Sequence, residues 1–227
     1  ILMYGLVLDK EGKKMSKSKG NVVWAYEAVE QYSADVLRAF FSLYSPWDDV
    51  KFDPSKLSDT KNLLNIVYSV YRFFTMYAEL DGWNTSYLTS VVKNPLNAWL
   101  IEKLRETEKL FNEYMENMEF HKALKVLMDM LIETISHKYI VVIRPLLWIP
   151  GLDSDKREIY TTLYVSLLRL LLYLSIFTPH TGEYLYQVLK NKFSKGDVEE
   201  SVFFETVNTI ASYPEVAVDP RSVKLVE

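Results

Sequence analysis

A mostly α-helical fold, a helical bundle preceded by a small β-hairpin and two short helices, is predicted by three features of the sequence. Apolar residues recur at intervals of three and four in four long segments, which marks one face of a 3.6-residue period. Helix-start pairs, Asp53-Pro54 and Asn94-Pro95, open two of them, and Gly82, Pro145 and Pro150 stand where helices should stop. Only 7 Gly and 8 Pro occur in 227 residues that are 49% hydrophobic and 25% charged. That composition belongs to an ordered globular chain, not a disordered or collagenous one.

In order along the chain, Met3 to Leu8 reads as a short strand. Asp9, Lys10, Glu11 and Gly12 form a turn that returns the chain toward Lys13 and Met15, so a hairpin presents the lysines. After a Gly20-Asn21 turn, Tyr26 to Tyr32 and Ala34 to Tyr44 are expected to be helical, with Ser33 capping the second and Pro46 ending the pair. A long helix follows Asp53-Pro54, where proline's missing N–H costs nothing in the first turn. It turns Leu63, Val67, Val70, Tyr71 and Phe74 inward and ends at Gly82. A second stripe after Asn94-Pro95 comprises Leu96, Leu100, Leu104, Phe111 and Met115. From near Glu119, the positions Phe120, Leu124, Leu127, Leu131, Ile135, Tyr139 and Val142 keep the spacing until Pro145 and Pro150 break it. Leu163, Leu167, Leu171, Leu174 and Phe177 lie on a helix apolar on nearly every side, as expected of one surrounded by the others. The tail beyond Lys192 reads as strand-like or irregular. The chain thus divides into a loop-bearing segment (1–52), a bundle (53–192) and a tail (193–227).

Composition excludes several chemistries. There is no cysteine, hence no disulfide, no thiolate zinc site and no cysteine nucleophile, and three scattered histidines leave no metal site to expect. His121, His137 and His180 lack any nucleophile or carboxylate constellation and read as ordinary helix or turn residues. Arg169 interrupts the apolar run from Leu163 to Phe177, short of the roughly 18 to 20 uncharged residues of a bilayer crossing, so a soluble, cytoplasmic protein without a membrane partner is expected. The opening Ile1-Leu2-Met3-Tyr4 has no basic region before it and resembles neither a signal peptide nor a natural start; a fragment is expected.

Charge is divided unevenly. Residues 10–20 hold five lysines against Glu11, a local net of +4, whereas residues 21–227 carry 21 basic and 28 acidic side chains, a net of −7. An acidic surface does not attract polyanions indiscriminately, so nucleic acid must meet a local basic stripe. The informative segment is Lys14-Met15-Ser16-Lys17-Ser18, followed by Lys19, Gly20, Asn21, Val22 and Val23. Two lysines three residues apart in a Ser/Gly loop form a phosphate clamp: the ammonium is a compact, mobile charge, hydroxyls add donors, and small residues permit close backbone approach. Five neighbouring lysines repel one another, so the loop is expected to be mobile without phosphate.

Residues 14–18 are identical to the second signature of class I aminoacyl-tRNA synthetases, and the surroundings resemble the isoleucyl-tRNA synthetase family. The likeness is carried by residues 5–9, 20–23 and 34–38, by Pro46-Trp47-Asp48-Asp49-Val50-Lys51-Phe52, by Ser136 to Arg144 and by Thr178 to Gln187. It implies a helical anticodon-binding bundle after a segment that contacts the tRNA stem. It also implies ATP-dependent activation of isoleucine, with ATP and Mg as substrate, and transfer to isoleucine tRNA. In that reading Lys14 and Lys17 are catalytic, Lys17 stabilising the departing pyrophosphate, and Met15, Ser16 and Ser18 complete the ATP loop. Lys138, Arg144 and Arg72 are candidate tRNA contacts. The chain departs from the family at Tyr4, where His is usual, at Lys19 for Leu, and at His137, Lys138 and Val141. The family's first signature, His-Ile-Gly-His, and its editing domain are absent from these residues, so this chain alone is expected to be inactive and to need those parts of its polypeptide. A valyl or leucyl enzyme, and a non-catalytic helical RNA-binding or scaffold module, are the competing readings.

Two further features invite a role. Asp48 and Asp49 are adjacent in an extended segment, where their side chains point apart, which favours a structural over a cation-binding role. Trp47 is expected to anchor the junction between loop segment and bundle.

Overall fold

In the computed structural model, which describes residues 4–196, 198–224 and 226, the loop-bearing segment comprises β1 (Val7–Leu8), a 3₁₀ turn (Lys17–Lys19), α1 (Ala25–Tyr32), α2 (Ala34–Ser42) and β2 (Val50–Lys51). Met3, the expected start of the first strand, lies outside the described residues. The strand's principal partner differs from expectation: β1 pairs in parallel with β2, Val7 opposite Val50 and Leu8 opposite Lys51. The hairpin is reduced to a single antiparallel bridge between Leu8 and Lys14. Tertiary pairing with a distant strand replaces the local return because Val50 and Phe52 donate their N–H groups to Leu6 and Leu8, while the lysine loop needs its own backbone for turns.

The helices begin where capping chemistry places them. Ser33 adopts φ 77° and its hydroxyl accepts the N–H of Val36 at the start of α2. Asp53 accepts from Ser55 at the start of α3 (Pro54–Leu80), and Asn94 from Leu96 at the start of α4 (Pro95–Glu116). The next rod is continuous but not uniform: α5 (Phe120–Asp129) passes through a π-helical stretch, Met130–Tyr139, into α6 (Ile140–Leu147). Two expectations fail here. The wider π turns set the inward positions four apart, at Leu131, Ile135, Tyr139, Ile143 and Leu147, all buried, and leave Val142 at the surface. Pro145 does not end the helix but lies inside α6; its ring faces the exposed side.

α7 (Ser154–Phe177) is enclosed nearly all round, and α8 (Pro179–Phe193) adds a fifth long helical segment against it. By length and mean hydropathy, 1.6 in its most apolar stretch, α7 could cross a bilayer, but 89% of that stretch is buried within the protein. Its charged interruption is satisfied there. Arg169 Nε donates to Glu108 Oε1 at 2.7 Å, and Nη1 to the carbonyls of Val207 and Ala211. The Arg169 guanidinium lies 4.2 Å from the centre of the Tyr213 ring. This arginine therefore ties the tail to the bundle core. The tail also supplies β4 (Glu215–Val216), parallel to β3 (Val91–Val92), and the helix α9 (Pro220–Lys224). Val202, Ile210 and Val223 are buried with the bundle's core residues.

Candidate functional site

The lysine loop is built on two polar residues that flank it. Asp9 Oδ1 accepts the N–H groups of Glu11 and Lys13, and Asp9 Oδ2 accepts from Asn21 Nδ2 at 2.8 Å. Asn21 Oδ1 accepts the Ser16 N–H at 2.9 Å, so one amide holds both ends of the loop. The Lys13 backbone donor and then the Asn21 amide hold the Asp9 carboxyl below its ordinary pKa, outweighing desolvation. Gly20 ends the 3₁₀ turn at φ 66°, a left-handed conformation natural to glycine. Met15 packs partly buried against the core, and the Ser16 and Ser18 hydroxyls lie 3.2 Å apart in hydrogen-bond contact. The polar and apolar members of the pentapeptide thus hold the turn while Lys14 and Lys17 stay exposed. Lys14 makes no ion pair among the described residues; Lys17 Nζ sits over the indole of Trp24, 5.1 Å from the ring centre.

Beneath the loop, backbone contacts fix its first strand. Gly5 donates its N–H to Pro46 O at 3.0 Å. A Cβ on Gly5 would fall 1.9 Å from the Asp48 carbonyl oxygen, so no side chain fits there. Asp49 Oδ1 accepts the Leu6 N–H at 2.7 Å, an attachment of β1 that agrees with the structural reading of this carboxylate. Among the described residues no group of three or more His, Asp or Glu gathers to hold a metal ion. Trp47 does not reach the bundle as expected: it is 52% exposed and stacks with Tyr4, ring centres 6.5 Å apart at 9°. It sits on the strand side because Pro46 and Gly5 are joined there.

The junction with the bundle is made instead by residues of α2. Arg38 donates from Nε to Phe177 O and from Nη2 to Ile176 O, satisfying carbonyls at the end of α7. Asp35, buried, accepts the N–H groups of Thr181 and His180 in the first turn of α8. Cation on a C-terminus and anion on an N-terminus both follow the helix macrodipole. On the opposite side of α2, Phe40 meets the Phe52 ring edge-on, centres 6.1 Å apart.

The three candidate RNA contacts are exposed but not gathered at one point. Arg144 lies over the Phe73 ring at 5.7 Å, on the α3–α6 side, where Trp148 Nε1 also donates to the Tyr77 hydroxyl. Lys138 is exposed on the π-helical stretch of the same rod. Arg72 instead lines a groove between α3 and α8 with Tyr68, Tyr184 and Lys192. His137 approaches Glu133 at 3.3 Å, one turn away. Asp9, Asn21, Trp24 and Asp35 were not singled out by sequence reasoning. The polar pair flanking the lysine run was the available signal for the first two, and Asp35 lies within the 34–38 stretch that carries the family likeness; nothing local marked Trp24.

A framed lysine loop, a short parallel strand pair and a docked helical bundle define a segment of the class I tRNA synthetase type. The family described as anticodon-binding domain of tRNA ligase matches residues 97–225, and that described as tRNA synthetases class I (I, L, M and V) matches residues 1–53. The chain belongs to the anticodon-binding domain family of tRNA ligases. It is 36% identical over 224 residues to the isoleucine–tRNA ligase of Pyrobaculum aerophilum, a match that covers 94% of this chain and 22% of that protein. Isoleucine–tRNA ligases of Methanothermobacter marburgensis and Methanocaldococcus jannaschii are 38% and 35% identical, covering 83% and 91% of this chain and 18% and 20% of theirs. The chain therefore spans about a fifth of the length of these curated relatives. Among solved structures, its fold resembles part of a LeuRS from Agrobacterium radiobacter K84, determined in a ternary complex with tRNA and LeuAMS. The TM-score is 0.63 at 19% identity, covering 82% of this chain and 21% of that one.

Proposed function

We propose that this chain supplies the ATP-phosphate loop and the tRNA-binding bundle of a cytoplasmic isoleucyl-tRNA synthetase. It would act with the nucleotide-binding and editing domains of the complete enzyme. The substrates are isoleucine, Mg–ATP and isoleucine tRNA. The isoleucine carboxylate attacks the α-phosphorus of ATP, the bond to the bridging oxygen breaks, and pyrophosphate leaves with the electron pair. The aminoacyl group then passes from the adenylate to the 3′-terminal ribose, releasing AMP. Negative charge grows on the pyrophosphate as the first step proceeds, so an ammonium placed there favours the transition state over the ground state. Lys17 takes that role; Lys14 meets the phosphates as they bind, and Met15, Ser16 and Ser18 hold the turn from which both lysines project.

The observation that carries this reading is the exposure of two ammonium groups on a turn whose every other side chain in residues 14–18 is used to hold it. Its identity with the class I signature adds support. The isoleucine-enzyme relatives favour isoleucine over the valine or leucine alternatives. The test is isoleucine-dependent pyrophosphate exchange by the parent polypeptide carrying Lys17→Ala. Exchange should fall by about 10²–10³, the usual cost of one such charge stabiliser; an unchanged rate would remove Lys17 from the mechanism. A parent that bound folded RNA tightly yet activated no amino acid would instead be a non-catalytic module.

A further inference from the structure

Lys17 has an unusual partner. Among the described residues it forms no ion pair or side-chain hydrogen bond, and its Nζ rests over the Trp24 ring. The Trp24 backbone is held where its carbonyl accepts the Ala28 N–H in the first turn of α1, and the half-exposed indole stacks with Tyr26, ring centres 6.4 Å apart. Three residues upstream, Asn21 is bound to Asp9 and to Ser16. The backbone on both sides of the contact is thus held in place, so the indole stands within reach of a turn whose lysine side chain is long and exposed. A loop with a local net charge of +4 drives its ammonium groups toward any electron-rich surface, and the face of an indole is the strongest such surface that carries no charge.

We infer that Trp24 is a positioning residue that competes with ATP for Lys17. Resting on the assignment of Lys17 to the departing pyrophosphate, this means that the ring holds the ammonium aside until phosphate oxygens take it. Charge-assisted hydrogen bonds to phosphate exceed a solvent-exposed cation–π contact, so release is favourable once the triphosphate arrives. A carboxylate in place of the indole would cancel part of the loop's charge as well as hold the lysine. The neutral ring restrains Lys17 and leaves the field that attracts ATP intact. A contact of this kind at an exposed site biases an equilibrium by about 2- to 5-fold, and that factor is what ATP must overcome.

The test is a double-mutant cycle in the parent polypeptide, read as kcat/KM for ATP in isoleucine-dependent pyrophosphate exchange. Trp24→Leu should raise kcat/KM by about 2- to 5-fold, and Trp24→Phe, with a weaker ring, should fall between it and the original. In a Lys17→Ala background, Trp24→Leu should have no effect, because the lysine it restrains is gone. A fall or no change in kcat/KM with Trp24→Leu, or the same rise in both backgrounds, would overturn the inference. Failure of the underlying assignment is separable: it shows as a Lys17→Ala variant with undiminished exchange, whatever Trp24 does. A merely structural Trp24 would alter both backgrounds alike, and Trp24→Phe would then restore the original rate without a graded response.

Discussion

The carboxylate of Asp35 in α2 and the backbone N–H of Thr181 in α8 are joined by a hydrogen bond of 2.5 Å across 146 residues of sequence. This contact sets the loop-bearing segment on the bundle, because Asp35 is buried and its other oxygen accepts the N–H of His180. Asp35→Ala leaves those donors without their partners at a largely buried junction. The expected loss is about 1–3 kcal/mol of unfolding free energy, checked by urea denaturation, with Asp35→Asn less damaging because it keeps one acceptor. A loss below a few tenths would show that the junction rests on apolar packing alone.

A buried ion pair closes the other end of the bundle. Lys156 Nζ lies 2.7 Å from Asp81 Oδ2 and 3.1 Å from Leu147 O, and the Tyr160 hydroxyl donates to the same Asp81 oxygen. Desolvation, with the Asp81 carboxylate as hydrogen-bond partner, pushes the Tyr160 phenol far above its ordinary pKa, so it remains a donor at every working pH. Lys156→Met strands a buried carboxylate and should cost about 3–5 kcal/mol, whereas Lys156→Met with Asp81→Leu should cost much less than the two single changes together. Simple additivity in the denaturation free energies would contradict a coupled pair.

The loop frame has a defined pH response. Asp9 is held below its ordinary value of 3.8, first by the Lys13 N–H and then by Asn21. Its contribution is therefore fully present above that value and is lost as pH falls through the depressed pKa. From pH 5 to 8 the frame should be unchanged, and it should loosen only in acid below about pH 4. Asn21→Ala should loosen it at neutral pH. Hydrogen exchange at the Ser16 and Lys13 amides reads both effects; equal protection in the variant would rule out the frame.

For RNA binding, Arg144 and Lys138 are proposed to meet phosphate on the side of the bundle formed by the π-helical rod, with Arg72 on the α3–α8 groove. Each Arg or Lys that touches a phosphate contributes about 0.7 to 0.9 to the slope of log affinity against log salt. Alanine at a contacting position should weaken tRNA binding by the parent polypeptide and flatten the slope by that amount. Weaker binding with an unaltered slope would assign the residue to folding rather than to phosphate.

Much of this architecture was legible locally. Ser33, Asp53 and Asn94 cap the helices predicted from them because capping depends on a side chain and the next few backbone amides. The rod from Phe120 to Leu147 shows the limit. An α-helical period places Val142 inward, but π turns put Ile143 there instead, and the widening is chosen by packing against neighbouring helices. Trp47 shows another limit, since its size suggested an anchor and its position beside Gly5 left it stacked on Tyr4.

The amino-acid order by itself determined the helical stripes, their caps and the presence of two lysines in a small-residue turn, since these depend on periodicity and on neighbours within a few residues. Only the tertiary structure decided that β1 pairs with β2, that Asp35 caps α8, and that the Lys17 ammonium rests on Trp24. Parallel pairing and long-range caps join groups distant along the chain. Which of many chemically similar partners meet is settled by how the whole core packs.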